Sequence, residues 1–551
     1  MGAETEYAAA ALTQQGAPLP QGVLLSRLFR LARQRTRHLM GGSLESLFLS
    51  NGARMYADRG PHAELATPEC RDPWQVVRYV RAGERLLSEL ASALATEPDL
   101  SDVKVFRTNV DYHAPGVSWG CHESYLCRTD LARVAEELIP HLVSRIVFTG
   151  AGGFVPGSPG LEFTLSPRAC FVTKEVSAHS MGDRGIFHTK DEPLARAPNR
   201  RVHVLCGESV CSDLSGVLKY GTTALVIALV DAGERPGEGV ALVQPVSALR
   251  RIAGDPTCRT AVRVARGQRL TAIEIQRHYL RRVEGSLERL PDWAPALCAL
   301  WRTQLDALER GPAAVARCLD WALKQAIYAR FADGLVRWDE VQRWSRLSCR
   351  LFDRIRTLVP RSEPSPPFSV NQLLDPTVSE HPAHGAVSDF LARHGASRED
   401  VERFLALRSR LHEAELRFGQ LGGEGTFDRL DRAGLLEHRL IAGAEIEGAL
   451  DTPPGDTRAR ARGAAVAAMA GTPGWEAARA DWAGISDVAA RRELDLSDPF
   501  ATQAEWKEMA SPRRPVQRPA AEPSGDGSTL PDLVATVDRV LSRRRSVDEL
   551  F

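Results

Sequence analysis

Lysine is nearly missing from this chain. It occurs only at Lys104, Lys174, Lys190, Lys219, Lys324 and Lys507, so arginine carries almost all of the positive charge. A GC-rich genome accounts for that bias, because arginine serves as a surface cation as well as lysine does. Net charge is missing too, with 70 basic residues balancing 70 acidic ones. Nucleic acid is therefore not expected as a partner, since a nucleic-acid reader needs a basic face. Long hydrophobic runs are absent: the longest clean one, Ala224 to Val230, is far too short to cross a bilayer, and no membrane association is expected. Acidic Glu4 and Glu6 stand where a secretory signal would begin with cations. The cysteines form neither a Cys-x-x-Cys pair nor a Cys/His zinc spacing, which predicts reduced, structural thiols in a cytoplasmic protein. Gly150-Ala-Gly-Gly153 lacks a following Gly-Lys-Ser/Thr, so it reads as a turn and not as a P-loop.

What is present is enough for a large core. The 551 residues are 43% hydrophobic and 25% charged, ordinary globular values, and the length corresponds to roughly three or four units. No internal repeat is visible. The pattern predicts an α+β order, with strands and helices first and mostly helices later. Gly2 to Tyr7 reads as a strand, Leu24 to Leu47 as an arginine-rich amphipathic helix, and Asn51 to Asp58 as a turn entering a strand. Pro73 to Thr96 has helical apolar spacing; strands are predicted within Val103–Asp111, Ser118–Cys127, Phe163–Leu165 and Arg201–Cys206. Ser215 to Phe352 and Ser397 to Glu415 read as helical, with a Pro/Ser/His-rich loop over Leu358–Gly385. Arg458 to Leu494 is an alanine-rich unit. Ser511 to Ser528 has a linker's composition, and Leu530 to Arg544 places its apolar residues on one helical face.

Glu4 and Glu6, two apart on a strand, point to one face, and Tyr56 and Asp58 share that spacing on a second strand. Glu64 and Glu69 follow closely. Clustered oxygen ligands are what Mg²⁺ requires, although acidic pairs on strands are commonly just solvated. Cys121 and His122 are neighbours on a predicted strand and face opposite sides, which excludes a Cys–His catalytic pair there.

Whole phrases carry more than single residues. Met1-Gly-Ala-Glu-Thr-Glu-Tyr7, Asn51-Gly-Ala-Arg-Met-Tyr-Ala-Asp58 running through Glu64 to Ala-Thr-Pro-Glu-Cys70, Gly120-Cys-His-Glu-Ser-Tyr-Leu126, Thr189-Lys-Asp-Glu-Pro193, Arg200-Arg-Val-His-Val204 and Leu218-Lys-Tyr-Gly-Thr222 occur in one order. Thr452-Pro-Pro, Thr457-Arg-Ala-Arg-Ala-Arg-Gly463, Asp481-Trp482 and Asp498-Pro-Phe500 follow. Together they resemble the Pup ligase and depupylase family, over about residues 2–500. The resemblance implies a glutamine-synthetase-like fold, a concave antiparallel sheet backed by helices. It divides the chain into a catalytic domain over 1–425 (with an insertion at about 355–405), a small C-terminal domain over 426–509, and a flexible linker with an amphipathic tail helix over 510–551.

The resemblance also implies ATP and Mg²⁺ as cofactors, with a Pup-like modifier and lysine-bearing target proteins as partners. The implied reaction activates the modifier's C-terminal glutamate as a γ-glutamyl phosphate and joins it to a lysine amine. Glu4, Tyr56 and Glu64, with Glu6 from the same face, match metal-holding positions. Asp58 matches the catalytic base. His122 and Arg201 match positions near the ATP phosphates, and Arg458 and Arg460 would reach in from the C-terminal domain.

The ten residues between Asp58 and Glu69, and the short span from Tyr7 to Asn51, are similar to ligases and unlike depupylases. Departures stand beside these: Gly207-Glu-Ser-Val-Cys-Ser212 for a Gly-Asp-Ser-Asn-Met-Ser phrase, Lys190 for arginine, Thr108-Asn-Val-Asp111 for Asn-Asn-Thr-Asp, and Ser124 for asparagine. They leave open a depupylase or deamidase, or a nucleotide-binding pseudoenzyme.

Overall fold

The computed structural model describes the chain except residues 59, 61, 113, 115, 179–183, 190–193, 334–336, 359–381 and 510–551. The linker, the tail helix and most of the Thr189–Pro193 phrase lie outside the described residues, as does most of the Leu358–Gly385 loop, whose last residues open a helix over Pro382–Arg393.

The architecture is α+β and centres on a 14-stranded sheet. Its strands are β1 (Gly2–Thr13), β2 (His38–Met40), β3 (Ser46–Leu49), β4 (Arg54–Ala57), β5 (Ala63–Ala66), β6 (Leu100–Phe106), β7 (Cys121–Cys127), β8 (Lys174–Ser177), β9 (Gly185–His188), β10 (Arg200–Val204), β11 (Ala478–Ala480), β12 (Gly484–Asp487), β13 (Arg492–Asp495) and β14 (Trp506–Glu508). The spatial order is β8-β9-β10-β7-β1-β5-β4-β3-β2-β11-β12-β13-β14, with β6 paired to the far half of β1. The predicted strand Gly2–Tyr7 thus continues to Thr13. Ala8 and Ala10 pack with Phe106 and Trp119 on one face, while Ala9 and Ala11 meet the helices on the other. Alanine suits this stretch because both of its faces are covered.

The predicted helix over Leu24–Leu47 is corrected. It runs from Gln21 to Arg35 and ends at extended Thr36, and the rest of the span makes β2 and β3. Leu39, Leu47 and Phe48 are buried as strand residues. Their apolar character mimics a helical stripe, and the signal to the contrary was Gly41-Gly42, which breaks the segment between the two strands.

Helix Pro73–Leu94 starts cleanly, with Asp72 accepting from the Gln75 amide at 2.8 Å and proline at its first turn. It buries Val76, Val77, Leu87 and Leu90 behind the sheet. Helix Asp213–Asp231 is capped by Ser212, which accepts from the Ser215 amide at 3.1 Å. Its length and composition would suit a membrane span, but 89% of its apolar window is buried in the protein core. Beneath β7, Glu123, Arg145 and Lys219 form a buried charge cluster, in which Arg145 donates to Glu123 at 2.5 and 2.8 Å. Lys219 also donates to the carbonyls of Glu208 (2.9 Å) and Cys121 (3.3 Å), fixing the strand that carries His122.

At the other end, helix Arg458–Met469 and strands β11 to β13 share a hydrophobic core with Leu39 and Phe48 of β2 and β3. Strand β11 extends the sheet by pairing in parallel with β2.

Candidate functional site

Strand register assembles the site. Glu4 of β1 stands opposite His122 of β7, Glu6 opposite Glu64 of β5, and Glu64 opposite Tyr56 of β4. Directly opposed residues share a face, as do residues two apart on one strand. Arg201 and His203 of β10 continue this face, with His203 opposite Ser124. Cys121 points the other way, into the core near Tyr220 and Thr5, as the alternation requires. His122 sits at the centre: Nδ1 is 3.8 Å from Glu4 and 3.9 Å from Glu64, and Nε2 is 3.7 Å from Glu6. Arg201 donates to Glu4 at 2.6 Å, and His203 Nε2 lies 4.0 Å from Glu4. Glu6 accepts from the Gly120 amide at 2.9 Å. Of the residues picked out by sequence, Glu4, Glu6, Tyr56, Glu64, His122 and Arg201 are brought together on this one face.

These carboxylates are under electrostatic strain. Burial, then the charges of Glu4 and Glu6, push the Glu64 carboxyl well above its ordinary range. Burial acts on Glu4 in the same sense, but Arg201 and the histidines overcome it and hold Glu4 well below the usual carboxylate range. Burial and then Glu4 and Glu64 raise the Tyr56 phenol, whereas burial and then Arg201 lower His203. Glu64 Oε1 and His203 Nε2 are buried without a hydrogen-bond partner. Two sets, Glu4–His122–His203 and Glu6–Glu64–His122, bring their ligand atoms within 4.8 Å of one another, as does Glu6–Asp58–His62 at the rim. A cation suits such a set: it supplies the missing partner and cancels the repulsion.

Asp58 lies just past the end of β4, where the hairpin to β5 turns. Its Oδ1 accepts from the amides of Gly60 (2.5 Å) and His62 (3.3 Å), and its own amide donates to the His62 carbonyl at 3.1 Å. A Cβ at Gly60 would lie 2.8 Å from the His62 ring, so a side chain there would push that ring aside. His62 Nδ1 is 3.7 Å from the Asp58 carboxylate, and its ring packs on Trp119 at 5.5 Å.

The C-terminal arginines occupy different ground. Buried Arg458 donates to Glu69 (2.6 Å) and to the carbonyls of Leu194 (2.5 Å) and Leu496 (2.9 Å). Arg460 is exposed on the same helix and donates weakly to the Gly455 carbonyl at 3.4 Å. Neither makes an ion pair with Glu4, Glu6 or Glu64 among the described residues. Fully buried Arg462 completes the pairing with Glu69, reaches the Gly52 carbonyl at 3.0 Å and lies over the Trp482 ring at 4.7 Å. The Glu69 carboxyl, which burial alone would raise, is pulled down to about 2 by Arg462 and Arg458.

Sequence reasoning missed four of these residues. His203 stands two after Arg201 in the quoted Arg-Arg-Val-His-Val phrase, and His62 lies inside the Asp58–Glu64 segment. Arg54, two before Tyr56 and on its face, places its guanidinium 4.3 Å from the Tyr56 ring centre. For these three, alternation along the quoted phrases was the available signal. Arg462 stands four residues after Arg458, a spacing that shares one side of a helix, whereas their common partner Glu69 is remote in sequence.

The chain matches the family described as Pup-ligase protein over residues 1–348 and 389–486. It is 32% identical over 516 residues to Pup–protein ligase 1 of Rhodococcus erythropolis, covering 91% of this chain and 96% of that protein. Over 514 residues it is 32% identical to the Pup–protein ligase of Mycolicibacterium smegmatis, with the same coverage. Its structure resembles that of the ligase PafA in complex with the prokaryotic ubiquitin-like protein Pup, with a TM-score of 0.68, 25% identity, and coverage of 91% of this chain and 89% of that one. It also resembles PafA in complex with ADP, with a TM-score of 0.61, 24% identity, and coverage of 88% and 91%. The α+β fold is thus the glutamine-synthetase-like fold of those ligases, with an open sheet and added C-terminal elements. Both in sequence along most of its length and in fold, the chain belongs to the Pup-ligase family.

Proposed function

We propose that this protein is an ATP-dependent ligase that joins the C-terminal glutamate side chain of a Pup-like modifier to lysines of target proteins. The observation that carries this reading is the partnerless, buried Glu64 oxygen among the carboxylates of Glu4 and Glu6, with Asp58 at the rim. Oxygen donors in that density fit Mg²⁺, and Glu4, Glu6 and Glu64, with Tyr56 beside them, would hold it. Mg²⁺ supplies positive charge that offsets the polyphosphate's as the phosphoryl group moves. The ligase relatives support the reading of the chemistry.

The chain's own residues take two tasks. Arg201 and His122 hold the carboxylates in place and present positive or polarisable groups toward the phosphates. The terminal phosphoryl group leaves ADP as its new P–O bond to the modifier's carboxylate forms. The lysine nitrogen then attacks that acyl carbon, a C–N bond replaces the C–O bond, and phosphate leaves. A lysine ammonium, with an ordinary pKa near ~10.4, is no nucleophile until it gives up a proton. Asp58 is the base: its backbone-anchored Oδ1 leaves Oδ2 for that proton. Of the C-terminal arginines, Arg460 has a guanidinium to offer the nucleotide, because Arg458 is engaged by Glu69 and two carbonyls.

The test is ATP turnover by the purified protein with a Pup-like modifier ending in glutamate and a lysine-bearing acceptor. ADP release matched by an acceptor of increased mass, and lost in Asp58→Asn, is the expected result. ATP binding without turnover or conjugate would point instead to a nucleotide-binding regulator.

A further inference from the structure

Nine arginines stand between residues 250 and 283 against two acids, Asp255 and Glu274, an excess of seven positive charges in a chain whose net charge is zero. The segment folds as the end of helix Pro245–Ala253, a hairpin of strands Ala261–Arg263 and Arg269–Thr271, and helix Ala272–Glu284. Both acids are spent on the backbone and its caps. The Asp255 carboxylate accepts from the amides of Thr257 (2.9 Å), Arg259 (3.0 Å) and Thr260 (2.6 Å), and that of Glu274 from the amide and hydroxyl of Thr271 at 2.7 and 2.9 Å. Of the nine arginines, Arg277 alone forms ion pairs among the described residues, with Asp306 and Glu309. Arg251, Arg259, Arg263, Arg266 and Arg269 are exposed.

The hairpin gathers this charge against its own stability. Its register sets Arg263 directly opposite Arg269, and like charges so opposed repel. At its turn Arg266 has a φ of 65°, left-handed backbone that suits glycine better than arginine. Beside it Val243 is 54% exposed, its amide donating to the Arg263 carbonyl at 3.1 Å. Repelling cations next to an exposed aliphatic side chain fit a carboxylate-rich protein surface. Single-stranded nucleic acid fits less well. Its readers stack bases on exposed aromatic rings, whereas this segment has no phenylalanine or tryptophan and its one tyrosine, Tyr279, is buried.

Contacts lead from this surface to the Asp58 end of the site. Arg250, one residue before Arg251 on the same helix, donates to the Val172 carbonyl at 2.9 Å. Val172 follows the turn Pro167–Phe171, whose Arg168 Nη1 is 3.3 Å from where a Cβ on Gly120 would lie. Gly120 adjoins Trp119, and on Trp119 packs the ring of His62, the neighbour of Asp58. We propose that the arginine hairpin and helix Pro245–Ala253 dock acidic, lysine-bearing target proteins and so bring their lysines toward Asp58. The inference rests on the ligase reading above. The target is the partner chosen because its lysine must reach Asp58, whereas the modifier's terminal carboxylate goes to the face of Glu4, Glu6 and Glu64.

The probe is a fluorescent peptide with one lysine among glutamates, and the control peptide has glutamine in place of each glutamate. Binding is read by anisotropy on the full chain without ATP. The wild type should bind the glutamate peptide about tenfold more tightly than the control. That preference should shrink between about 0.01 M and 0.15 M salt, as the screening length falls from about 30 Å to about 8 Å. Arg263→Glu, Arg266→Glu and Arg269→Glu combined should abolish the preference and leave affinity for ATP and for the Pup-like modifier within about twofold. Arg269→Glu alone turns the opposed like charges into a cross-strand ion pair. It should weaken the glutamate peptide about threefold while the melting temperature holds or rises, which separates lost docking from lost folding. Equal affinity for the two peptides in the wild type, a preference that survives the triple variant, or a loss confined to the modifier would each overturn the assignment. So would a single-stranded oligonucleotide that the wild type binds more tightly than the glutamate peptide. Because these arms need no turnover, failure of the wild-type protein to conjugate would count against the ligase reading and not against the docking surface.

Discussion

Glu64 and Glu69 lie on one short stretch of chain, the first buried and the second partly so, and their surroundings drive them in opposite directions. Glu64 faces the carboxylates of Glu4 and Glu6, has a buried oxygen with no partner, and is pushed up. Glu69 is clasped by Arg458 and Arg462 and is held at about 2. The second arrangement is complete without a ligand and joins the N-terminal sheet to the C-terminal helix. The first is incomplete by itself. A buried acid with its partners in place is structure, whereas a buried acid among other acids is waiting for a cation.

The largest effect expected is on chemistry. Asp58→Asn should lower conjugation by about 10³-fold in a mass-shift assay while ATP binding persists, because the turn keeps its side-chain acceptor and loses only the base. Next in size is the clasp. Glu69→Gln leaves two buried guanidinium groups without their anion and should cost about 3 kcal/mol in denaturant unfolding. Its pH dependence has a definite sign. A depressed folded pKa gives stability that is full above the unfolded value of about 4.3 and is lost as pH falls toward about 2. The wild-type melting temperature should therefore drop through that window by more than that of the Gln variant.

Glu64→Gln should do the reverse at neutral pH. The raised Glu64 carboxyl costs stability once pH rises past its unfolded value, so removing its charge should raise the melting temperature of the metal-free protein by roughly 2 °C. Conjugation should fall at the same time. Smallest is Arg460→Ala on the exposed side of the C-terminal helix. Stability should move by no more than about 0.5 kcal/mol, with any change confined to the KM for ATP.

Much of the site was legible in the sequence because strands alternate. Spacing alone put Glu4 and Glu6 on one face and separated Cys121 from His122, and the structure bears out both. Opposition across strands was not legible. That Glu6 meets Glu64, and Glu4 meets His122, depends on pairing between segments far apart in the chain. Alternation in the Arg-Arg-Val-His-Val phrase puts His203 on the face of Arg201, but its approach to Glu4 comes from pairing across strands. The same holds for Arg462 and Glu69. The helix misread over Leu24–Leu47 is a different failure, since strands of three and four residues are too short to show a period of two against an apolar stretch.

The contrast between the two glutamates is tested most directly by Mg²⁺-dependent thermal stabilisation of the wild-type protein, Glu64→Gln and Glu69→Gln, measured across a metal titration. The wild type should gain melting temperature with metal. Glu69→Gln should gain a similar increment from a lower baseline, and Glu64→Gln, starting higher, should gain almost none. An undiminished metal response in Glu64→Gln, or its loss in Glu69→Gln, would contradict the division of labour drawn here.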